Sequence, residues 1–223
     1  MRNGIVADVM TTEVVAVVPG TPYVDVVRAL EGWRISGLPV VDGDRRVIGV
    51  VSESDLLHKQ ELRGQRHRPV VEGRPTRLAR AKAAGDTAGE LMTAPAITVR
   101  PTDTLVSAAW VLARHRIKRA PVVTGDGELV GIVARRDLLR VYLRPDQEIA
   151  ADVTGWLTVC GLAELPALWT ARCRKGIVSL TGQVARHDQV ARAAALAAEV
   201  DGVVDVVNQL TSVETDLSGA AGS

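Results

Sequence analysis

The sequence predicts a mixed α/β (α+β) protein that contains two tandem β-α-β-β-α units and a smaller α-β-β-α-β domain. A gapless internal repeat relates the two units. Short β-branched runs alternate with stretches in which apolar residues recur at helical spacing. After Tyr142 this pattern changes, which indicates that a different domain follows.

The internal repeat is the most informative of these features. Met10-Thr11 recurs 82 residues later as Met92-Thr93. The same offset relates Pro19 to Pro101, Ile35 to Ile117, Pro39-Val40-Val41 to Pro121-Val122-Val123, Gly49 to Gly131, and Asp55-Leu56-Leu57 to Asp137-Leu138-Leu139. Because one fixed offset accounts for all of these identities, two copies of one supersecondary unit are the simplest explanation.

Local patterns define the elements of the first copy. Residues 14–18 are rich in valine and end at a Pro-Gly pair, which is typical of a short strand. Thr21 is a suitable helix N-cap, with Pro22 at the first helical position. The later elements are a buried strand over 38–41, a turn over 42–44, a return strand over 45–51 and a helix capped by Ser52.

The second copy repeats this order with predicted strands over 97–99, 120–123 and 128–133, helices over 104–115 and 135–142, and a turn over 125–127. Between the copies, residues 58–65 are predicted to continue a helix, 66–76 to form a loop and 78–84 to form a basic helical turn. The third domain is predicted to contain a helix from residue 146, strands over 168–174, 177–184 and 203–210, and an Ala-rich helix over 187–200.

Composition and charge restrict the class of protein. Hydrophobic residues make up 47% of the 223 residues and aromatic residues only 3%, so Val, Leu, Ile and Ala must fill the cores. No uncharged apolar stretch reaches the ~18 residues of a spanning helix, and the N-terminus lacks an apolar signal region, so we expect a soluble, cytoplasmic protein. Cys160 and Cys173 have the spacing of neither a disulfide framework nor a zinc site, so no metal is expected.

Both copies resemble cystathionine-β-synthase (CBS) domains, over about residues 7–60 and 89–143. The resemblance rests on the Met-Thr pair, the strand that contains Pro39 or Pro121, and the Gly-x-x-x-x-x-Asp run at the last strand–helix junction. It implies a pseudo-symmetric pair of domains that dimerises. It also implies that adenine nucleotides (AMP, ADP or ATP) or related adenosyl compounds bind in clefts between the copies, and that the protein senses ligands rather than catalysing a reaction.

The first candidate cleft lies at the junction 49–55. Gly49 allows close backbone approach, and Ser52 is predicted at a helix N-terminus, where backbone N–H groups favour a phosphate. Asp55 lies one turn later and could accept from the ribose hydroxyls. The alternative is that Ser52 is only an N-cap and Asp55 a first-turn acid that offsets the helix dipole. With the residues that the resemblance implies, the predicted set is Val14, Gly37, Leu38, Pro39, Ser52 and Asp55.

The second candidate cleft departs from the first. Ala134 replaces the hydroxyl of Ser52, whereas four basic residues gather nearby. A guanidinium group can bind two phosphate oxygens at once, so we expect this cleft to favour a ligand with more phosphate charge, such as ATP. The first cleft would take a less charged adenosyl ligand or remain empty. The alternative is that the arginines form a solvated face. The predicted set is Ile97, Lys118, Arg119, Ala120, Pro121, Arg135, Arg136 and Asp137.

The third domain, about residues 146–212, resembles a BON domain. The resemblance rests on the Gly-x-Val-x-Leu-x-Gly run over 176–182 and on Val-Asp-Gly-Val-x-x-Val over 200–206. It implies attachment to phospholipid surfaces or to other proteins. Residues 144–223 contain six basic and ten acidic residues, which disfavours attraction to anionic lipid. A protein-interaction role with an unknown effector is therefore preferred to membrane attachment.

The predicted boundaries are 1–61 for the first CBS domain, 62–88 for a basic linker, 89–143 for the second CBS domain, 146–213 for the BON domain and 214–223 for a disordered tail.

No catalytic triad, Walker-type phosphate loop or nucleophile elbow is present, so no catalytic residue and no enzyme activity are expected. The leading hypothesis is a nucleotide sensor. One alternative is a structural assembly protein with degenerate clefts. Another is nucleic-acid binding through residues 58–88, which contain eight basic and three acidic residues. These residues include no aromatic side chain on which a base could stack, so a solvated loop is the better explanation.

Overall fold

The computed structural model describes residues 4–57, 84–162 and 168–213. The chain divides into two compact units: the repeat unit, Ile5–Leu138, and the C-terminal unit, Leu139–Ser223 together with Met1–Gly4. The helix predicted over 58–65, the loop over 66–76 and the tail over 214–223 lie outside the described residues. So does the basic turn predicted over 78–84, apart from Ala84.

The repeat unit contains two equivalent sets of elements. The first comprises α1 (Val6–Val9), α2 (Tyr23–Gly32), β1 (Gly37–Val41), β2 (Val47–Ser52) and α3, whose described part is residues 53–57. The second comprises α4 (Ala88–Leu91), α5 (Leu105–Arg114), β3 (Arg119–Val123), β4 (Leu129–Ala134) and α6 (Arg135–Leu138). The 82-residue offset thus relates whole elements as well as single residues.

The two hairpins also share their register. Strands β1 and β2 pair antiparallel from Gly37 opposite Ser52, and β3 and β4 pair from Arg119 opposite Ala134. Each ladder shifts at the same repeat position, between Val40 and Val41 in the first copy. The equivalent shift in the second copy lies between residues 122 and 123. The predicted hairpins are therefore confirmed.

The predicted first strand of each copy is reduced to a single parallel bridge, between Val17 and Val40 in the first copy. Val17 donates to the Pro39 carbonyl at 3.0 Å and accepts from the Val41 N–H at 2.9 Å. The next bond of a parallel ladder would need an N–H from Pro39, which proline lacks. Pro121 has the same effect in the second copy. Helix α2 begins one residue later than predicted, because Pro22 is its N-cap while Thr21 Oγ1 accepts from the Val18 N–H.

The segment that leads into each copy packs on the other copy. Thr11 exchanges two backbone hydrogen bonds of 2.9 Å with Ile132, and Thr93 exchanges bonds of 2.8 and 3.1 Å with Val50. A Cβ atom at Gly49 would collide with the Met92 sulfur, and Gly131 faces the sulfur of the equivalent methionine in the same way. The two glycines thus allow the copies to join, whereas the sequence suggested close backbone approach at a ligand cleft.

The core of the first copy confirms that the copies form one unit. It contains side chains from α2, both strands of the hairpin, α3 and the leading helix of the second copy: Val26, Leu30, Leu38, Val40, Val51, Leu56, Ala88 and Leu91. Every residue of β1 is buried, in agreement with its predicted position inside the core. Apolar burial of this kind, at about 25 cal/mol per Å² of area removed from water, is the main term that holds the copies together.

The C-terminal unit has the predicted α-β-β-α-β order. After a 3₁₀ segment (Leu139–Leu143) come α7 (Asp146–Leu157), a π-helical turn (Thr158–Leu162), β5 (Trp169–Arg174), β6 (Ile177–Val184), α8 (His187–Ala198) and β7 (Asp205–Ser212). Strand β6 is central, antiparallel to β5 and parallel to β7. Helices and sheet enclose an apolar core that includes Ile149, Leu157, Trp169, Leu180 and Ala197.

Candidate functional site

A cleft of about 320 Å³ in the repeat unit is lined by residues from both copies. The first copy contributes Ser36, Gly37, Val50, Ser52, Glu53, Ser54 and Asp55, and the second contributes Thr93, Pro95, Ala96, Ile97, Arg116, Ile117, Lys118 and Arg119. The structure therefore brings together residues that the sequence divided between two clefts. Gly37, Ser52 and Asp55 came from the first predicted set, and Ile97, Lys118 and Arg119 from the second.

The Asp55 carboxylate is held by the protein at one side of this cleft. Its Oδ2 accepts from the Ser52 N–H at 2.9 Å and from the Ser52 hydroxyl at 2.7 Å. Thr93 Oγ1 donates to Oδ1 over a longer distance of 3.3 Å. Only 7% of Asp55 is exposed. This geometry fits the capping alternative that the sequence left open, and it leaves the Ser52 oxygen able to accept a further hydrogen bond.

Arg119 brings a cation to the other side of the cleft. Its Nε is buried and has no hydrogen-bond partner in the described part of the chain. Burial lowers the pKa of the guanidinium from its ordinary value, and the nearby Arg136 charge lowers it further, whereas the carboxylates of Asp137 and Glu53 oppose the shift. An arginine stays protonated in spite of such a shift. A buried donor without an acceptor costs about 1–3 kcal/mol, so an anionic ligand oxygen would stabilise this side chain.

The equivalent junction of the second copy is organised differently. Asp137 Oδ2 accepts from the Ala134 N–H at 2.8 Å, and no hydroxyl is available at that position. Arg135 donates from Nε to the Ile117 carbonyl at 2.9 Å and from Nη2 to the Leu112 carbonyl at 3.3 Å. It therefore links α6 to the last turn of α5, through Leu112, and to the residues that follow that helix, through Ile117. Arg136 Nε lies 3.7 Å from the Asp137 carboxylate.

Several predicted residues are not part of the cleft lining. These are Val14, Leu38, Pro39, Ala120, Pro121, Arg135, Arg136 and Asp137. Leu38 and Ala120 are fully buried in the hairpin cores, because the alternation of a strand turns them away from the opening.

Lining residues such as Thr93 and Arg116 were not predicted from the sequence. Thr93 was recognised only as a marker of the repeat. It lies 38 residues from Asp55 in the chain, and the exchange of leading segments between copies brings the two together. Because the Met-Thr pair recurs at the start of both copies, the symmetry of the repeat could have indicated that each leading segment packs on the other copy.

Comparison with known families identifies both units. The family model for the CBS domain matches residues 6–62 and 88–144. The chain belongs to the CBS-domain family. A second family model, for the BON domain, matches residues 170–214. The predicted CBS pair followed by a C-terminal BON domain is therefore confirmed.

Two plant proteins are among the relatives of this CBS pair. The chain is 32% identical over 140 residues to the chloroplastic CBS domain-containing protein CBSX2 of Arabidopsis thaliana, and 32% identical over 136 residues to CBSX1 of the same plant. The CBSX2 match covers 58% of this chain and 59% of the relative, and the CBSX1 match covers 56% and 58%. The chain thus spans about three fifths of the length of these relatives.

Solved structures share the architecture. The crystal structure of CBSX2 in complex with AMP aligns with a TM-score of 0.54 and 32% identity, over 62% of this chain and 96% of that one. The CBS pair of protein MJ0100, at 20% identity and a TM-score of 0.50 over 63% and 97%, shows the common fold. Inosine-5'-monophosphate dehydrogenase of Mycobacterium tuberculosis is 28% identical over 61% of this chain, but the match covers only 22% of that enzyme.

Among the described residues of this chain, no helix has the length and apolar character needed to cross a membrane.

Proposed function

We propose that the CBS pair is a regulatory module that binds an adenine nucleotide or a related adenosyl ligand, and that the chain has no enzyme activity of its own. Two observations support this proposal. The related CBSX2 was crystallised with AMP. Within the part of the chain that the structure describes, a buried nitrogen of Arg119 has no hydrogen-bond partner, and Arg119 lines a cleft that also contains Ser52 and Asp55.

The lining suggests how such a ligand would lie. Arg119 and Lys118 would face the phosphate, and guanidinium-to-phosphate hydrogen bonds are among the stronger ones in proteins. Pro95, Ala96 and Ile97 offer an apolar wall for the base. Asp55, already oriented by Ser52, would accept from the ribose.

The charge of the cleft favours a ligand with few phosphates. Its cations, on Arg116, Lys118 and Arg119, are opposed by the carboxylates of Glu53 and Asp55. A triphosphate would place additional negative charge near these carboxylates, and like charges repel strongly where water is partly excluded. We therefore expect AMP to bind more tightly than ATP. This preference agrees with the less charged ligand predicted for the first cleft and differs from the ATP preference predicted for the second.

Occupancy of this cleft would couple the two copies, because residues of both line it. A ligand regulates only if it binds one conformation better than another. One ligand would bind Arg119 of the second copy through its phosphate and Asp55 of the first copy through its ribose. It would therefore favour the arrangement in which the two copies are close.

We also propose that the repeat unit associates with a second copy of the chain. Val24 and Val106 occupy equivalent positions on α2 and α5, and both are more than half exposed, as is Trp110 on α5. Exposed apolar residues at matching positions of a repeat form a face that suits a symmetric dimer. This face is also the observation that favours the alternative function of structural assembly.

The C-terminal BON domain would connect the module to an effector protein. Its excess of acidic residues disfavours an anionic membrane surface. Nucleic acid is disfavoured as a partner because the basic residues 58–88 contain no aromatic side chain on which a base could stack.

The test is isothermal titration of the full chain with AMP, ATP, S-adenosylmethionine and adenosine. We expect about one AMP per chain, tighter binding of AMP than of ATP, and a loss of at least tenfold in AMP affinity for Arg119→Gln. Arg100→Gln, an exposed arginine of the same copy, is the matched control. If none of the four compounds binds, the sensor proposal is wrong and the assembly alternative gains support.

A further inference from the structure

A groove in the C-terminal unit, separate from the nucleotide cleft, has the character of a binding site. It encloses about 380 Å³ between one face of α7 and the turn that follows α8. This volume lies within the range of small-ligand and side-chain pockets. Gly155, Trp156 and Val159 form its floor, and Arg144, Asp152 and Asp201 its polar rim.

Gly155 keeps the groove open at a cost to the helix. It lies inside α7, where glycine is about 1 kcal/mol less favourable than alanine. A Cβ atom added at this position would meet nothing within 4 Å, so no neighbour in the described structure requires glycine there. The missing side chain leaves space directly beside Val159, which is 79% exposed.

Trp156 adds an unused hydrogen-bond donor to the floor. Its indole Nε1 is buried and has no acceptor among the residues that the structure describes. Buried tryptophan N–H groups ordinarily find a partner, and the absence of one costs about 1–3 kcal/mol. A carbonyl oxygen, such as that of a peptide backbone, is the matching acceptor.

The rim carries an excess of negative charge. Arg144 Nη2 pairs with Asp152 Oδ2 at 2.5 Å and lies 3.9 Å from Glu148, while its Nη1 donates to the Asp201 carbonyl at 2.9 Å. Asp201 Oδ2 accepts from the backbone N–H of Gly4. The Arg144 guanidinium thus faces the carboxylates of Glu148 and Asp152, and Asp201 adds a third carboxylate to the lining. The excess of acidic groups attracts a cation and repels an anionic lipid headgroup.

We propose that this groove binds a basic peptide segment of a partner protein. An apolar side chain would lie over Gly155 and Val159, and a lysine or arginine would face Asp152 and Asp201. A backbone carbonyl would accept from the Trp156 indole after the ring turns toward the groove. The proposal rests on the protein-binding role assigned to the C-terminal unit and specifies the chemistry of the partner.

The experiment uses the ¹⁵N-labelled full chain and the indole resonances of its four tryptophans. Trp156→Phe identifies the resonance of interest. The probe is acetyl-Lys-Leu-Lys-amide, and acetyl-Glu-Leu-Glu-amide is its charge-reversed control. We expect a saturable shift of the Trp156 resonance with the lysine peptide and at least tenfold weaker binding of the glutamate peptide.

A variant that fills the groove provides the second arm. Gly155→Leu should reduce lysine-peptide affinity at least tenfold, whereas Gln147→Leu, an exposed position of the same helix, should leave it unchanged. Unaltered positions of the other indole resonances show that the variants are folded. Equal affinity for both peptides, or full affinity in Gly155→Leu, overturns the proposal.

Other occupants give different results. A shift with phosphatidylglycerol vesicles but not with the lysine peptide would assign the groove to a lipid surface. A shift on dilution without peptide would assign it to a second copy of the chain, and either result overturns the peptide proposal. An AMP titration of the same sample reports on the nucleotide cleft, so that failure of the sensor proposal is distinguished from failure at this groove.

Discussion

Gly49→Ala is expected to destabilise the repeat unit, because Gly49 is where the second copy's leading segment crosses β2. An ideal Cβ would lie 2.9 Å from Met92 Cγ, 3.1 Å from the Thr93 carbonyl oxygen and closer still to the Met92 sulfur. The methionine side chain could rotate away, but the Thr93 carbonyl is held by a 3.1 Å hydrogen bond from the Val50 N–H. The strain therefore falls partly on the backbone that joins the copies.

Overpacking of this kind costs about 1–3 kcal/mol of unfolding free energy. For a unit of this size, each kcal/mol lowers Tm by about 4 °C, so the expected loss is about 4–12 °C. The assay is urea and thermal unfolding of the full chain, followed by circular dichroism. Gly43→Ala is the matched control, since a Cβ at Gly43 meets nothing within 4 Å and should change stability by less than about 0.5 kcal/mol.

A double variant separates steric strain from other effects of the substitution. Met92→Ala removes the two side-chain atoms nearest to the new methyl group. Gly49→Ala combined with Met92→Ala should therefore be at least about 1 kcal/mol more stable than the sum of the single changes predicts. If Gly49→Ala unfolds at the same urea concentration as Gly43→Ala, the glycine is not required by the crossing segment and the packing argument is refuted.

Three further predictions follow from single contacts. Arg135→Gln should lower the unfolding free energy by about 1 kcal/mol, because its hydrogen bonds to the Leu112 and Ile117 carbonyls are lost. AMP affinity measured by calorimetry should stay unchanged, and a loss of affinity would contradict this structural role. Hydrogen bonds from the N–H groups of Gly176 and Lys175 hold the pKa of Asp146 below its ordinary value. The stability that these hydrogen bonds provide is complete above the unfolded-state pKa of about 4 and is lost as pH falls through the lower folded pKa. In urea titrations at a series of pH values, the unfolding free energy of Asp146→Asn should therefore fall less steeply at acid pH than that of the parent. Trp110→Glu should reduce the mass measured by light scattering to that of one chain if the exposed face of α5 joins two copies, and an unchanged dimer mass would exclude that face.

Much of the fold follows from local patterns that the repeat reinforces. The Asp42-Gly43-Asp44 turn, for example, lies between two apolar runs, and in the structure Asp42 Oδ1 accepts from the N–H groups of Asp44 and Arg46. Such turn chemistry depends on residues within four positions of each other, so the sequence alone is enough to predict it. The first hairpin of the third domain was predictable for the same reason, because Lys175 and Gly176 form the turn between β5 and β6.

The candidate site could not be assembled in this way. Its parts come from segments that are far apart in the chain, and no local pattern shows that Lys118 and Arg119 lie beside Asp55. The sequence also does not reveal how a long side chain is used. Arg135 and Arg119 both appear in it as cations, but Arg135 donates to two backbone carbonyls, whereas Arg119 has a buried nitrogen with no partner among the described residues.

The geometry gives the divergence of the two copies a physical consequence. The cleft takes its Asp55 carboxylate from the first copy and residues that lead into β-strands from both copies, Gly37 from the first and Arg119 from the second. Arg119, which occupies the repeat position equivalent to Gly37, adds a cation to the cleft that contains Ser52, whereas the equivalent junction of the second copy has Ala134 and no hydroxyl. Both changes favour the same cleft. If the two copies arose by duplication, such changes would have left most of the hydrogen-bond donors for a ligand at one of two originally equivalent sites. We therefore expect about one nucleotide per chain.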